Sequence, residues 1–230
     1  MKKIIFMGLL TGISNMLFSQ NNIKISEKLD KIGYFRLVTD SSKLINIKKD
    51  IDDNYENGKS YNETNWLILS NDYYISSVFG LKENGNNSST SDFRSFEVWA
   101  GDLFEQNLES YINSAKVVFE KNGLELNWKD EKIDWNKESN YIENVHHTIN
   151  INNKKYTIYS GNVSDKTKRP AFEYLTNFRK ILNEVLFEQK SKNRIILLSA
   201  PEYVYFIMLE EEMFMDFKKI IEKTKNKIEK

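Results

Sequence analysis

The sequence predicts an α+β fold: a mostly antiparallel sheet with hairpins, packed by about four helices in a single domain. Three observations lead there. Apolar residues recur at spacings of three and four in several segments, as helices with one buried face require. Short runs rich in aromatic and β-branched residues occur in pairs joined by turn residues. The order, helices first and then strand pairs and helices intermixed, is not the regular strand–helix alternation of a doubly wound fold.

The chain opens with Met1-Lys2-Lys3 and an apolar stretch from Ile4 to Phe18. A positively charged start and a short apolar segment are the pattern of a secretory signal. The stretch falls short of the roughly 20 apolar residues that a membrane span needs. Residues 1–19 are therefore expected to be removed after Ser19, leaving 20–230 as the mature domain, with no stable membrane anchor and a location in the periplasm or outside the cell. There is no cysteine, which excludes disulfides, thiolate metal sites and a cysteine nucleophile. The full chain has 33 basic and 33 acidic residues; loss of Lys2 and Lys3 leaves 31 against 33, a net of −2. Such a balance gives no field that would draw in nucleic acid.

In the mature part, Ile25, Leu29, Ile32 and Phe35 are spaced as on a helix within 23–38, with Gly33 as an early stop. Asp40 or Ser41 caps a second helix whose buried stripe is Leu44, Ile47, Ile51 and Tyr55, ending near Gly58. Trp66–Leu69 and Tyr73–Leu81 flank Ser70-Asn71-Asp72 and read as a hairpin. Residues 83–92 contain no apolar side chain and read as a mobile loop. Phe93–Ala100 reads as a strand, Leu103–Lys121 as a helix, and Leu124–Trp128 as a further strand. The clearest hairpin is 147–159, because Asn152-Asn153 tolerates the positive φ of a tight turn. Pro170 opens a helix with Phe172, Leu175, Phe178, Leu182, Val185 and Leu186 facing inwards. Ile195–Leu198 and Tyr203–Leu209 are continuous apolar runs, the pattern of strands buried on both faces. Glu210-Glu211-Glu212 starts the last helix, with lysines towards its end, both complementing the helix dipole.

Chemistry-bearing candidates are few. His146 and His147 are the only histidines. On a strand they point to opposite faces, so one can serve as an acid or base while both cannot chelate one metal ion. Glu97 and Asp102, near Glu105, mark a strand-to-helix junction where paired carboxylates would do acid–base work; Asp102 with Glu105 also fits a helix capping box. Asp50, Asp52 and Asp53 lack the glycine and distal glutamate of a calcium loop. No metal site and no cofactor motif is found. Trp128, Trp135 and Tyr141 stand in a strongly polar stretch, a composition typical of binding surfaces; the competing reading turns these rings inwards to pin a long loop.

The leading expectation is thus an exported, non-catalytic domain acting on an unidentified protein partner, with a toxin-neutralising (immunity-type) role as its specific form. The alternatives are an envelope hydrolase using carboxylates or a histidine, and a carbohydrate-binding module presenting Trp128 and Trp135.

Overall fold

The computed structural model describes residues 23–60, 66–69, 73–76, 92–98, 108–138, 141–165, 170–199 and 204–228. The expected signal segment 1–19, residues 83–91 of the expected loop, and Asp102 lie outside them. The elements in order are α1 (Ile25–Lys31), α2 (Ser41–Ser60), β1 (Trp66–Leu69), β2 (Tyr73–Ser76), β3 (Ser95–Val98) and α3 (Leu108–Lys121). They are followed by β4 (Trp128–Glu138), β5 (Tyr141–Ile151), β6 (Lys154–Asn162), α4 (Pro170–Glu188), β7 (Asn193–Ser199), β8 (Val204–Glu210) and α5 (Glu211–Ile228). The fold is α+β, as the sequence pattern indicates, with five helices among the described residues instead of about four.

Two sheets organise the described residues, and every strand pairing in them is antiparallel. One has five strands in the order β2-β1-β7-β8-β3; the other has three in the order β4-β5-β6. The five-stranded sheet separates two apolar clusters. On one face Ile196, Tyr205, Ile207 and Leu209 meet α1, α2 and α5 through Leu29, Ile51, Met213 and Phe217. On the other, Ile195, Leu197, Phe206 and Met208 join Phe96 and the inward sides of α3 and α4. Helix α4 touches both β6 and β7, so α3 and α4 form a layer between the two sheets. Successive residues of β7 and β8 thereby face different helices, and each finds a dry environment.

Local chemistry explains the boundaries. The backbone of Gly33 takes a φ of 76°, a left-handed conformation that costs glycine little; α1 accordingly stops at Lys31 rather than running to Val38. Asp40 caps α2: its Oδ1 accepts from the amides of Ser42 at 2.9 Å and Lys43 at 3.1 Å. Those bonds hold the Asp40 carboxyl below its usual pKa, with the Ser42 hydroxyl the largest cause. Helix α2 continues past Gly58 to Ser60. The carboxylate of Asp52 accepts from the Ser26 amide at 3.0 Å and the Ser26 hydroxyl at 2.7 Å, tying the start of α1 to α2.

Three expectations are corrected. Residues 124–127 form no strand, and the polar stretch read as a long loop is strand β4, paired with β5 from Trp128 to Glu138. Its exposed Lys132 and Asp134 alternate with partly buried Ile133 and Trp135, so its polarity is that of a strand with one wet face. Phe172, expected inside, is 56% exposed; Tyr174 is buried among the residues of that helix instead. The 147–159 hairpin forms with Asn152 at φ 49° and Asn153 at φ 66°.

Candidate functional site

The three-stranded sheet carries most of the residues singled out above. Trp128 and Trp135 are partly buried and pack against the larger apolar cluster. Trp128 donates from Nε1 to Asn113 Oδ1 on α3 at 3.0 Å, whereas Trp135 Nε1 is buried with no hydrogen-bond partner. Tyr141 stands opposite Glu138 at the far end of the β4–β5 pairing. Trp128 and Trp135 thus lean on the core, while the Tyr141 side chain lies outside the described residues.

His146 and His147 face opposite sides of β5. His146 is exposed, and the register sets it between Asp134 on β4 and Ser160 on β6. All three side chains are on the outer face, and His146 Nδ1 lies 3.1 Å from Ser160 Oγ. His147 is 0% exposed. Its Nε2 lies 2.9 Å from Glu131 Oε1, and Nδ1 has no hydrogen-bond partner. Tyr174 of α4 packs against the imidazole with ring centroids 5.8 Å apart, and stacks on Tyr159 at 4.5 Å. Burial pushes the phenol pKa of Tyr174 well above its ordinary value, with the Tyr159 and Glu131 charges adding to the effect. Glu131 reaches His147 because β4 has a register shift between Lys129 and Lys132, with Asp130 at φ 53°; the bulge re-aims the carboxylate.

Glu97 lies on β3 opposite Tyr205, and its side chain, like Asp102, lies outside the described residues. The described residues contain no group of three or more His, Asp or Glu side chains placed to hold a metal ion. No described helix is long and apolar enough to cross a membrane.

A second polar centre went unforeseen. Asp92, read as the last residue of a loop, is only 4% exposed. Its Oδ1 accepts from the amides of Arg94 and Ser95, both at 2.9 Å. Its Oδ2 accepts from the Tyr34 hydroxyl at 2.7 Å and the Ser95 hydroxyl at 2.8 Å. Arg94, 0% exposed, donates from Nε to the Tyr34 carbonyl at 2.5 Å and from Nη1 to the Met208 carbonyl at 3.3 Å. Phe93, between them, has a φ of 58°. Burial raises the Tyr34 phenol pKa, reinforced by Asp92, and lowers that of Arg94. These bonds join the turn after α1 to β3 and β8, a structural role. The only sequence signal for it is an Asp-x-Arg-Ser string at the end of a polar run.

The third feature is a surface groove of about 500 Å³ where α4, β7 and α5 meet, lined by Arg179, Asn183, Phe187, Lys192, Asn193, Arg194, Glu211 and Phe214 among others. Phe187 stands beside it 81% exposed. Arg194 pairs with Glu211 and lies over the Phe214 ring, 5.2 Å from its centroid. Neither Phe187 nor Lys192 stood out in the sequence, because a single aromatic at a helix end carries no pattern.

Among the described residues the class is a mostly antiparallel α+β protein with a surface groove lined by aromatic side chains and cations. Comparison with known protein families, with characterised proteins and with solved structures finds no match to this chain.

Proposed function

We propose that this chain is an exported, non-catalytic binding domain that acts through a protein partner, with neutralisation of a toxin as the form to test first. Phe187 carries the reading. A lone exposed apolar residue needs no explanation, but Phe187 borders a concave surface with a charged rim. Aromatic anchors and arginines around a groove are the make-up of binding hot spots. Export rests on Lys2, Lys3 and the apolar segment that follows.

The test uses the chain from Gln20, tagged at its C-terminus and incubated with envelope and secreted proteins of its host and close relatives. The expected result is one stoichiometric partner that is lost on Phe187→Ser and kept on His146→Ala. No partner, or one indifferent to Phe187, overturns the reading.

A second reading, a hydrolase using one histidine, draws on the Asp134–His146–Ser160 row. A hydroxyl within hydrogen-bond reach of an imidazole is the start of a nucleophile–base pair. The row ranks second because all three side chains stand exposed to water on one strand face, whereas a nucleophile–base pair works in a site that excludes water. A fluorophosphonate adduct on Ser160 that disappears on His146→Ala would support it; no adduct would remove it.

A further inference from the structure

Strand β7 is central in its sheet, yet its two ends differ. On the side away from β8, β1 pairs only with Leu198 and Ser199. The first half of β7, Asn193 to Ile196, is paired to β8 alone among the described strands. Its outward backbone groups are bonded by side chains instead. The amide of Ile195 donates to Asn183 Oδ1 at 2.7 Å, and the Ile195 carbonyl accepts from Asn183 Nδ2 at 2.9 Å. One carboxamide thus makes both bonds that a neighbouring strand would make at that residue. Two residues back, the Asn193 amide donates to Ser191 Oγ at 3.1 Å. Residues two apart on an antiparallel strand direct their backbone groups to the same side, so these bonds mark one edge.

An exposed strand edge is a template for another chain, and proteins blunt such edges. Here the blunting is local, and it sits in the groove. Asn193 Oδ1 is buried there with no hydrogen-bond partner, an acceptor in need of a donor. Of the charged residues in the lining, Arg179, Lys192 and Arg194 are cations and Glu211 is the one carboxylate. Arg179 is partly buried there. The volume, about 500 Å³, falls in the usual range for ligand sites.

We infer that the groove takes an extended, acidic segment of a partner protein, which adds as a strand to the Asn193–Ile196 edge of β7 by displacing the Asn183 carboxamide. The incoming backbone takes over the two bonds to Ile195, as in other strand-addition modes of recognition. A donor from the segment satisfies Asn193 Oδ1. Its carboxylates meet Lys192, and Phe187 closes over one side chain. This inference rests on the protein-binding reading above and specifies how the partner is held.

The test selects random 12-residue linear peptides, displayed on phage, against the chain from Gln20, and remakes the enriched peptides synthetically. Expected are peptides rich in Asp and Glu whose affinity falls at least tenfold on Lys192→Glu and on Phe187→Ser. Asn183→Ala, which removes the plug, should tighten them severalfold. Amide exchange at Ile195 should slow in the complex even in that variant, where no side chain protects it. If Asn183→Ala fails to fold, Asn183→Ser, uncharged and too short to hold both Ile195 groups, should act in the same direction. Peptides that depend on Phe187 but ignore both Asn183 variants and leave Ile195 exchange unchanged would overturn strand addition while leaving the protein-binding reading standing. Enrichment of basic or uncharged peptides, or of none, overturns the inference; a captured protein that still requires Phe187 would again spare the broader reading.

Discussion

The two sheets solve opposite problems. In the five-stranded sheet, β7 and β8 have helices on both faces, and five consecutive residues of β8, Tyr205 to Leu209, are buried. In the three-stranded sheet, β5 and β6 turn one face to α3 and α4 and the other to water. Ile149, Ile151 and Ile158 are buried, while His146, Lys155, Thr157 and Ser160 are exposed. Layering therefore decides how a strand reads: continuous apolar when it is enclosed, alternating when it is half wet.

Large-to-small substitutions sharpen that contrast most strongly. Phe206→Ala and Ile207→Ala remove side chains on opposite faces of β8. Each is expected to cost about 3–5 kcal/mol, the range for cavities left in a packed core. Ile149→Ala on β5 should fall in the same range. Urea unfolding of the three variants measures this, and a mild Ile207→Ala would mean that the α1–α2–α5 face is not a true core.

Each sheet also has a polar centre, and the two differ in completeness. The one at β3 is nearly saturated: the Asp92 carboxylate accepts four hydrogen bonds. Asp92→Ala would remove the acceptor of four hydrogen bonds, two of them from backbone amides, and a carboxylate that favours the charged form of Arg94. The expected loss is about 3 kcal/mol, the scale for a buried charged group deprived of its partners. The centre on β5 has one such contact, His147 Nε2 with Glu131 Oε1, and Glu131 is partly exposed. Glu131→Gln retains an acceptor and should cost only about 1 kcal/mol. Equal losses at the two sites would remove the distinction.

How far this was legible follows from the same contrast. The runs at Ile195 and Tyr203, the Asn152-Asn153 turn and the inner faces of α3 and α4 were readable because burial imposes a period on the sequence. Strand β4 was hidden because its apolar residues, Trp128, Ile133 and Trp135, are too sparse to show alternation, and the bulge at Asp130 breaks the phase. Phe172 was misplaced because periodicity assigns a face but not whether a partner reaches the helix's first turn. The polar centres and the groove were illegible for a different reason. Tyr34 and Asp92 meet across 58 positions of sequence, and the groove is made by the ends of three elements. No local pattern encodes either.

Alkaline pH probes the centres with a smaller, graded effect. Burial raises the Tyr34 and Tyr174 phenol pKa values above the ordinary 10.0. A raised pKa means that the folded state holds its proton where the unfolded chain has begun to release it. The stability these groups contribute is complete below pH 10 and declines as pH rises from there towards the folded-state values. Unfolding free energy measured from about pH 9 to about pH 11 should therefore fall, and Tyr34→Phe and Tyr174→Phe should each flatten the decline.

The smallest expected effect belongs to the outer face of the three-stranded sheet. Asp134, His146 and Ser160 are all exposed, and the single bond recorded among them is the 3.1 Å contact of His146 with Ser160. Water replaces such contacts at little cost, so His146→Ala and Asp134→Asn should each change stability by less than about 0.5 kcal/mol. These substitutions serve as controls for the binding experiments, since they alter a wet face remote in sequence from α4 and β7. A partner lost on His146→Ala but retained on Phe187→Ser would move the binding surface from the groove beside β7 to the half-wet sheet. The aromatic–polar stretch of β4 would then regain the role its composition suggests.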